Sequence, residues 1–281
     1  MVTPEFGEAT DKGKRRENNE DTYLSKPELG LWLVADGMGG HEAGEVASAI
    51  ARDAIAQAVK SGSSLIESVQ SGHQAVLRAA SRKIGAPGMG STVVALLSRD
   101  KHYEIAWVGD SRAYLWIPGE SGGTLTQLTT DHSYVQMLVA SGAIKEEEAQ
   151  HHSDKNIITQ CLGSQNVRLL KVDSVKGEWK DNQWIMLCSD GLTEEVDNEL
   201  LAKILYDARD PEQAANLLLQ KALENGGSDN VTVQVIAAPD LDITTPFETR
   251  ELKNHRLNYF ILGTLAVLAI LALVYFYLDG G

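Results

Sequence analysis

Cysteine is scarce: 281 residues hold two, Cys161 and Cys188. Two thiols build neither a disulfide framework nor a zinc knuckle. Cys188 lies in the apolar run WIMLCSD and reads as a small core residue. Cys161 does not read as a nucleophile that wraps an anion with a following arginine. Six residues separate it from Arg168, too many for that loop, and no glycine cradle lies between. Positive charge is short as well, with 25 Lys and Arg against 39 Asp and Glu and a formal net charge of -14. That excludes non-specific nucleic-acid binding, which needs a basic footprint. An acidic chain can still handle anions if a metal ion supplies the missing charge. No His-x-x-x-His pair offers soft metal ligands, and no repeat or low-complexity segment stands out. The first residues, MVTPEFGEATDKGKRREN, lack the apolar stretch of a secretory signal.

Long uncharged runs are rare too, with one exception near the C-terminus. Residues 259–278, YFILGTLAVLAILALVYFYL, carry no charge over twenty positions. A helix of that length spans about 30 Å, the hydrocarbon thickness of a bilayer. Tyr259 and Phe260 at one end, and Tyr275, Phe276 and Tyr277 at the other, resemble interfacial belts. Arg250, Lys253 and Arg256 lie upstream and only Asp279 downstream, which places the bulk of the chain on the cytoplasmic side. The expectation is a single-pass cell-membrane anchor over 257–281, a linker over 239–256 with two prolines, mixed charge and no clear period, and one catalytic domain over 1–238.

Within that domain, helical spacing of apolar residues marks 42–60 and 63–84. His73 on the second apolar face reads as packed rather than ligating. Strand-like runs follow in STVVALLS, YEIAWVGD, RAYLWIP and LTQLTT, then a helical interval near 133–150. LLKVDSVKGEW and QWIMLCSD come next, then helices near 197–208 and 211–225, then VTVQVIAA. Strands come in runs rather than alternating with helices. The expected class is α+β, a four-layer α-β-β-α sandwich of two mainly antiparallel sheets, with one transmembrane helix after it.

The acids carry the chemistry. LWLVADGMGG runs a strand into Asp36 and Gly37. YEIAWVGDSR ends on Asp110, WIMLCSDGL on Asp190, and GGSDNVTVQVIA places Asp229 before the last strand. One Asp-Gly after a strand is usually a turn. Four acids at strand ends, gathered at one lip, could not all stay ionised without a counter-charge. Oxygen-only ligands favour Mg²⁺ or Mn²⁺. The glycines are expected to let the chain turn sharply so that a carbonyl can face a metal. In TDKGKRRENNED, Glu20 and Asp21 could orient water while Arg15 or Arg16 grips a phosphoryl group by paired hydrogen bonds, although such a charge run is often only a solvated loop.

These motifs, in this order over about residues 5–238, resemble the metal-dependent protein serine/threonine phosphatases of type 2C (PPM), the bacterial members especially. LVADGMGGHEAGEVAS resembles the family's central motif, LTTDHSYVQMLVASGAI the start of its flap, and LCSDGLTEEV and GGSDNVTVQVI its closing metal motifs. The resemblance implies that Asp36 bridges two Mn²⁺ or Mg²⁺ ions and that Gly37 ligates through its carbonyl. It implies that Asp190 and Asp229 complete the pair, that Glu20 and Asp21 act through bound water, and that Arg16 holds the substrate phosphate. Asp110, with Asp190, would offer a third, weaker metal position, and residues 129–160 a mobile flap. The implied reaction is hydrolysis of phosphoserine and phosphothreonine in cytoplasmic proteins by metal-activated water, opposing a Ser/Thr kinase, without a phosphoenzyme. Two departures stand out: Met38 where eukaryotic relatives carry a proton-donating histidine, and HHSDKN where bacterial relatives carry a His-Pro-x-Arg-Asn pattern. The competing readings are a catalytically silent sensor or adaptor on the same fold, which retention of all four strand-end acids disfavours, and a two-metal nuclease, which the charge disfavours.

Overall fold

A computed structural model of the chain describes residues 4–39, 43–120, 122–149, 151–165 and 170–240. One compact unit runs over Met1–Leu241. The apolar segment at 259–278 lies outside the described residues, and among those that are described no helix is long and apolar enough to cross a membrane.

Two antiparallel sheets lie face to face. The first contains β1 (Phe6–Asp11), β11 (Val231–Ala237), β10 (Trp184–Cys188), β7 (Arg112–Ile117) and β8 (Thr124–Gln127), in that spatial order. The second contains β2 (Asp21–Lys26), β3 (Leu31–Met38), β5 (Val93–Arg99), β6 (His102–Val108) and β9 (Asp173–Glu178), with the short β4 (Gly90–Ser91) beside β3. Alternation assigns each strand two different neighbours. In β3, Leu31, Leu33 and Ala35 pack under α1 (Ala43–Lys60) and α2 (Leu65–Ser81), while Trp32 and Val34 enter the layer between the sheets. In β11, Val231, Val233 and Val235 pack under α6 (Asn198–Asp207) and α7 (Pro211–Asn225), while Ile236 faces the other sheet. The three apolar clusters are therefore the three interfaces of a four-layer α-β-β-α sandwich.

The helices start where local chemistry directs. Ser64 caps α2 by accepting from the Glu67 N–H while the Glu67 carboxylate accepts from the Ser64 N–H, a reciprocal capping box. Asp210 caps α7, whose first residue is Pro211. The helical interval near 133–150 resolves into two short pieces, α3 (Tyr134–Ala140) and α4 (Glu146–Ala149). Gly142, at φ +74, breaks the run between them. β1 and β2 carry no long apolar run and escaped the sequence reading; register with β11 and β3 holds them. His73 is buried and accepts a hydrogen bond at Nδ1 from the Gly163 N–H, 3.1 Å, which confirms a packed residue. Burial lowers its pKa. Cys188 is fully buried.

Candidate metal centre

The strand ends converge as their spacing suggests. Asp21 lies directly across β2 and β3 from Asp36. Asp190 opens the short α5 (Asp190–Thr193) straight after β10, and Asp229 precedes β11, the neighbour of β10. Asp110 follows β6 in the loop leading to β7.

Asp36 and Asp190 feel the charges of the others. Burial first, then the charges of Asp21, Asp190, Asp110 and Asp229, push the Asp36 carboxyl well above the ordinary aspartate range. Asp190 is raised strongly by burial, then by Asp110, Glu194, Asp229 and Asp21. Burial lifts Asp21 to about 6, against hydrogen bonds from Ser189 and Thr232 that lower it. Asp110 also rises to about 6, through burial and then the charge of Asp131. Burial raises Glu20 as well, opposed by Arg16. Such a cluster is under electrostatic pressure and would take up protons or a cation.

Among the described residues no three His, Cys, Asp or Glu side chains close into a ready-made metal cage. Two observations nevertheless fit a hard divalent cation. Every side chain that meets in the cluster is an oxygen donor. One carboxylate oxygen, Asp21 Oδ1, is buried with no hydrogen-bond partner, an arrangement that costs free energy unless something positive meets it.

The surroundings hold the acids in place. The Asp36 N–H donates to Thr92 Oγ1 at 3.1 Å, and that hydroxyl shares a proton with Ser111 Oγ at 2.7 Å. The Asn230 amide accepts from the Glu20 N–H, 2.7 Å, and donates to the carbonyls of Lys12 and Asn18, 2.9 Å each. It thereby ties the loop between β1 and β2 to Asp229. Ser189 Oγ donates to Asp21 Oδ2 at 2.7 Å. Sequence reasoning missed Thr92, Ser111, Ser189 and Asn230. Three of them, Ser111, Ser189 and Asn230, stand next to predicted acids, and that adjacency was the available signal.

Gly37 departs from expectation. It does not turn the chain: β3 runs through it to Met38, and Gly37 pairs with Ser91 on β4. Its lack of a side chain permits close approach instead, since a Cβ there would lie 2.0 Å from the Gly44 carbonyl oxygen and 2.7 Å from that of Glu20. The backbone of α1 thus packs directly onto the strand that carries Asp36.

Arg16 Nη2 donates to Asp229 Oδ2 at 2.6 Å, and its side chain is 51% exposed. Lys12, Lys14 and Arg15 point to solvent. Met38 is partly exposed beside the cluster; His41 lies outside the described residues. In the segment expected to form a flap, Asp131 receives a bidentate hydrogen-bond pair from Arg112: Nε to Oδ1 at 3.0 Å and Nη2 to Oδ2 at 2.7 Å. Lys155, in the departing HHSDKN segment, pairs with Glu194 at 3.3 Å. Cys161 is partly exposed near Gly90, and burial raises its thiol pKa, so it is no thiolate nucleophile.

The family described as protein phosphatase 2C matches residues 11–225. The serine/threonine phosphatase Stp of Listeria welshimeri is 35% identical over 240 residues, covering 81% of this chain and 93% of that protein. The serine/threonine protein phosphatase PstP of Mycobacterium tuberculosis is 35% identical over 243 residues, 84% of this chain and 45% of that longer protein. A crystal structure of PstP superposes with a TM-score of 0.76 at 34% identity, covering 85% of this chain and 100% of that one. A structure of the PstP catalytic domain with two manganese ions superposes with a TM-score of 0.74 at 33% identity, with the same coverage.

Proposed function

The chain belongs to the protein phosphatase 2C family, and on that premise we propose that it hydrolyses phosphoserine and phosphothreonine in proteins at the acid cluster formed by Asp36, Asp190, Asp229, Asp21, Glu20 and Asp110. The observation that carries the proposal is the meeting of these acids at the strand ends, where burial and the charges of Asp21, Asp110 and Asp229 raise both Asp36 and Asp190 well above the ordinary aspartate range.

Asp36, Asp190, Asp229 and the Gly37 carbonyl would hold two Mn²⁺ or Mg²⁺ ions, with Glu20 and Asp21 around them. Asp110 with Asp190 would hold a weaker third. When bound, the ions neutralise the acids, polarise the phosphoryl oxygens and lower the pKa of water. The chain's residues do the rest. Their carboxylates fix where positive charge can sit, and hence where a dianionic phosphoryl group can approach a surface that otherwise repels it. Arg16, half exposed and paired with Asp229, can swing from that acid to two phosphoryl oxygens, whose planar spacing suits a guanidinium. Met38 has no proton to give, so among the described residues beside the cluster no histidine takes the role of protonating the leaving alkoxide.

The same reading extends to the setting. The apolar segment at 259–278 would tether the domain to the cytoplasmic face of the cell membrane and concentrate it near membrane-bound Ser/Thr kinases, whose products it would reverse. Support for this is the sequence pattern alone. Phosphate release from matched phosphothreonine, phosphoserine and phosphotyrosine peptides, with DNA and RNA cleavage assayed in parallel, tests the substrate class. Turnover of the first two is expected. Nucleic-acid cleavage, or no turnover by folded protein with any divalent metal, would overturn it.

A further inference from the structure

We propose that Ser189 is a positioning residue for the metal centre: its hydroxyl closes a hydrogen-bonded ring that fixes the Asp21 carboxylate and so sets the affinity of the cluster for a divalent cation. This rests on the two-metal reading above.

The ring can be traced atom by atom. Ser189 is 1% exposed, follows β10 and immediately precedes Asp190. Its hydroxyl accepts from the Thr232 N–H at 3.0 Å, and its own N–H donates to the Thr232 carbonyl at 3.0 Å. With that acceptor position taken, the single hydroxyl proton goes to Asp21 Oδ2 at 2.7 Å. Thr232 Oγ1 lies 2.8 Å from Thr10 Oγ1, and Thr10 Oγ1 accepts from Asn19 Nδ2 at 2.9 Å. Asn19 Oδ1 closes the circuit by accepting from the Asp21 N–H at 3.1 Å.

The result is an asymmetric carboxylate. Asp21 Oδ2 takes the Ser189 proton, while Oδ1 is buried without a partner. Hydroxyl rotors alone could satisfy either oxygen. The backbone bonds between Ser189 and Thr232, made on two adjacent strand ends, leave Ser189 one direction to donate. The free oxygen is thereby presented to the cluster and does not rotate away. Outer hydrogen-bonding partners of this kind, which orient the groups around a metal, typically change metal affinity by about ten- to a hundredfold when lost.

Calorimetric titration of Mn²⁺ into the intact chain tests this, with Ser189→Ala, Ser189→Thr, Asn19→Ala and a control, Leu218→Ala, in the remote helix core. Ser189→Ala is expected to weaken Mn²⁺ binding about tenfold or more. Ser189→Thr, which keeps the hydroxyl, should recover most of that loss, and Asn19→Ala should weaken binding by a smaller factor. Leu218→Ala should lower the melting temperature and leave affinity unchanged. Wild-type affinity in both Ser189→Ala and Asn19→Ala, with a lowered melting temperature, would overturn the inference alone. Should Ser189→Ala not fold, the partly exposed Asn19 decides. No Mn²⁺ binding by the wild type would overturn the centre and this inference with it.

Discussion

Replacing Asp110 with asparagine should make the metal-free protein more stable at neutral pH. The Asp110 carboxyl has a pKa of about 6 in the folded chain against a reference of 3.8, through burial and the nearby charge of Asp131. Above pH 6 it is ionised in both states and the folded state carries the whole penalty, about 3 kcal/mol at 1.36 kcal/mol per unit. As pH falls through 6 the folded chain takes up the proton first, so wild-type stability rises, and the penalty is fully relieved only below 3.8. At pH 5 about half of it remains. Asparagine carries no charge at any of these values. In chelator at pH 7.5, Asp110→Asn should therefore melt about 6–12 °C above the wild type, given about 2–4 °C per kcal/mol for a domain of this size. The gap should narrow by about half at pH 5. His73, whose pKa burial lowers, loses stability over the same range but does so in both proteins and cancels. Thermal melts by circular dichroism, with and without Mn²⁺, measure this directly. Equal or lower stability of Asp110→Asn at pH 7.5 in chelator, or a gap that widens on acidification, would refute the electrostatic account.

Arg16→Lys should barely change the melting temperature, because a half-exposed ion pair contributes only about 0–1 kcal/mol. It should raise KM for a phosphothreonine peptide about tenfold, since an ammonium cannot replace a bidentate fork. Arg112→Ala strips the partner from the mostly buried Asp131 and should cost about 3 kcal/mol of stability by urea titration.

The acids were legible because each sits at the end of an apolar run, where alternation must stop and a turn residue is expected. The sheets were legible for the same reason, from residues such as Leu31, Leu33 and Ala35 on one face and Trp32 and Val34 on the other. β1 and β2 were not. FGEATD and DTYLSK are short and half polar, and are strands because β11 and β3 supply their hydrogen bonds. The roles of Gly37 and Ser189 escaped as well. Each depends on a contact that only the folded chain makes, Gly37 with the carbonyls of Gly44 and Glu20 and Ser189 with Asp21, 168 residues away. Local pattern carries no record of such contacts.

The central claim is that the strand-end acids act together, through divalent metal, to hydrolyse phosphomonoesters. Phosphate release from a phosphothreonine peptide by the intact chain, with Mn²⁺ and with excess chelator, beside Asp36→Ala, tests it most directly. The account predicts turnover that requires Mn²⁺ and is abolished by the substitution, with the variant still folded. Turnover that persists in chelator or survives Asp36→Ala would contradict it.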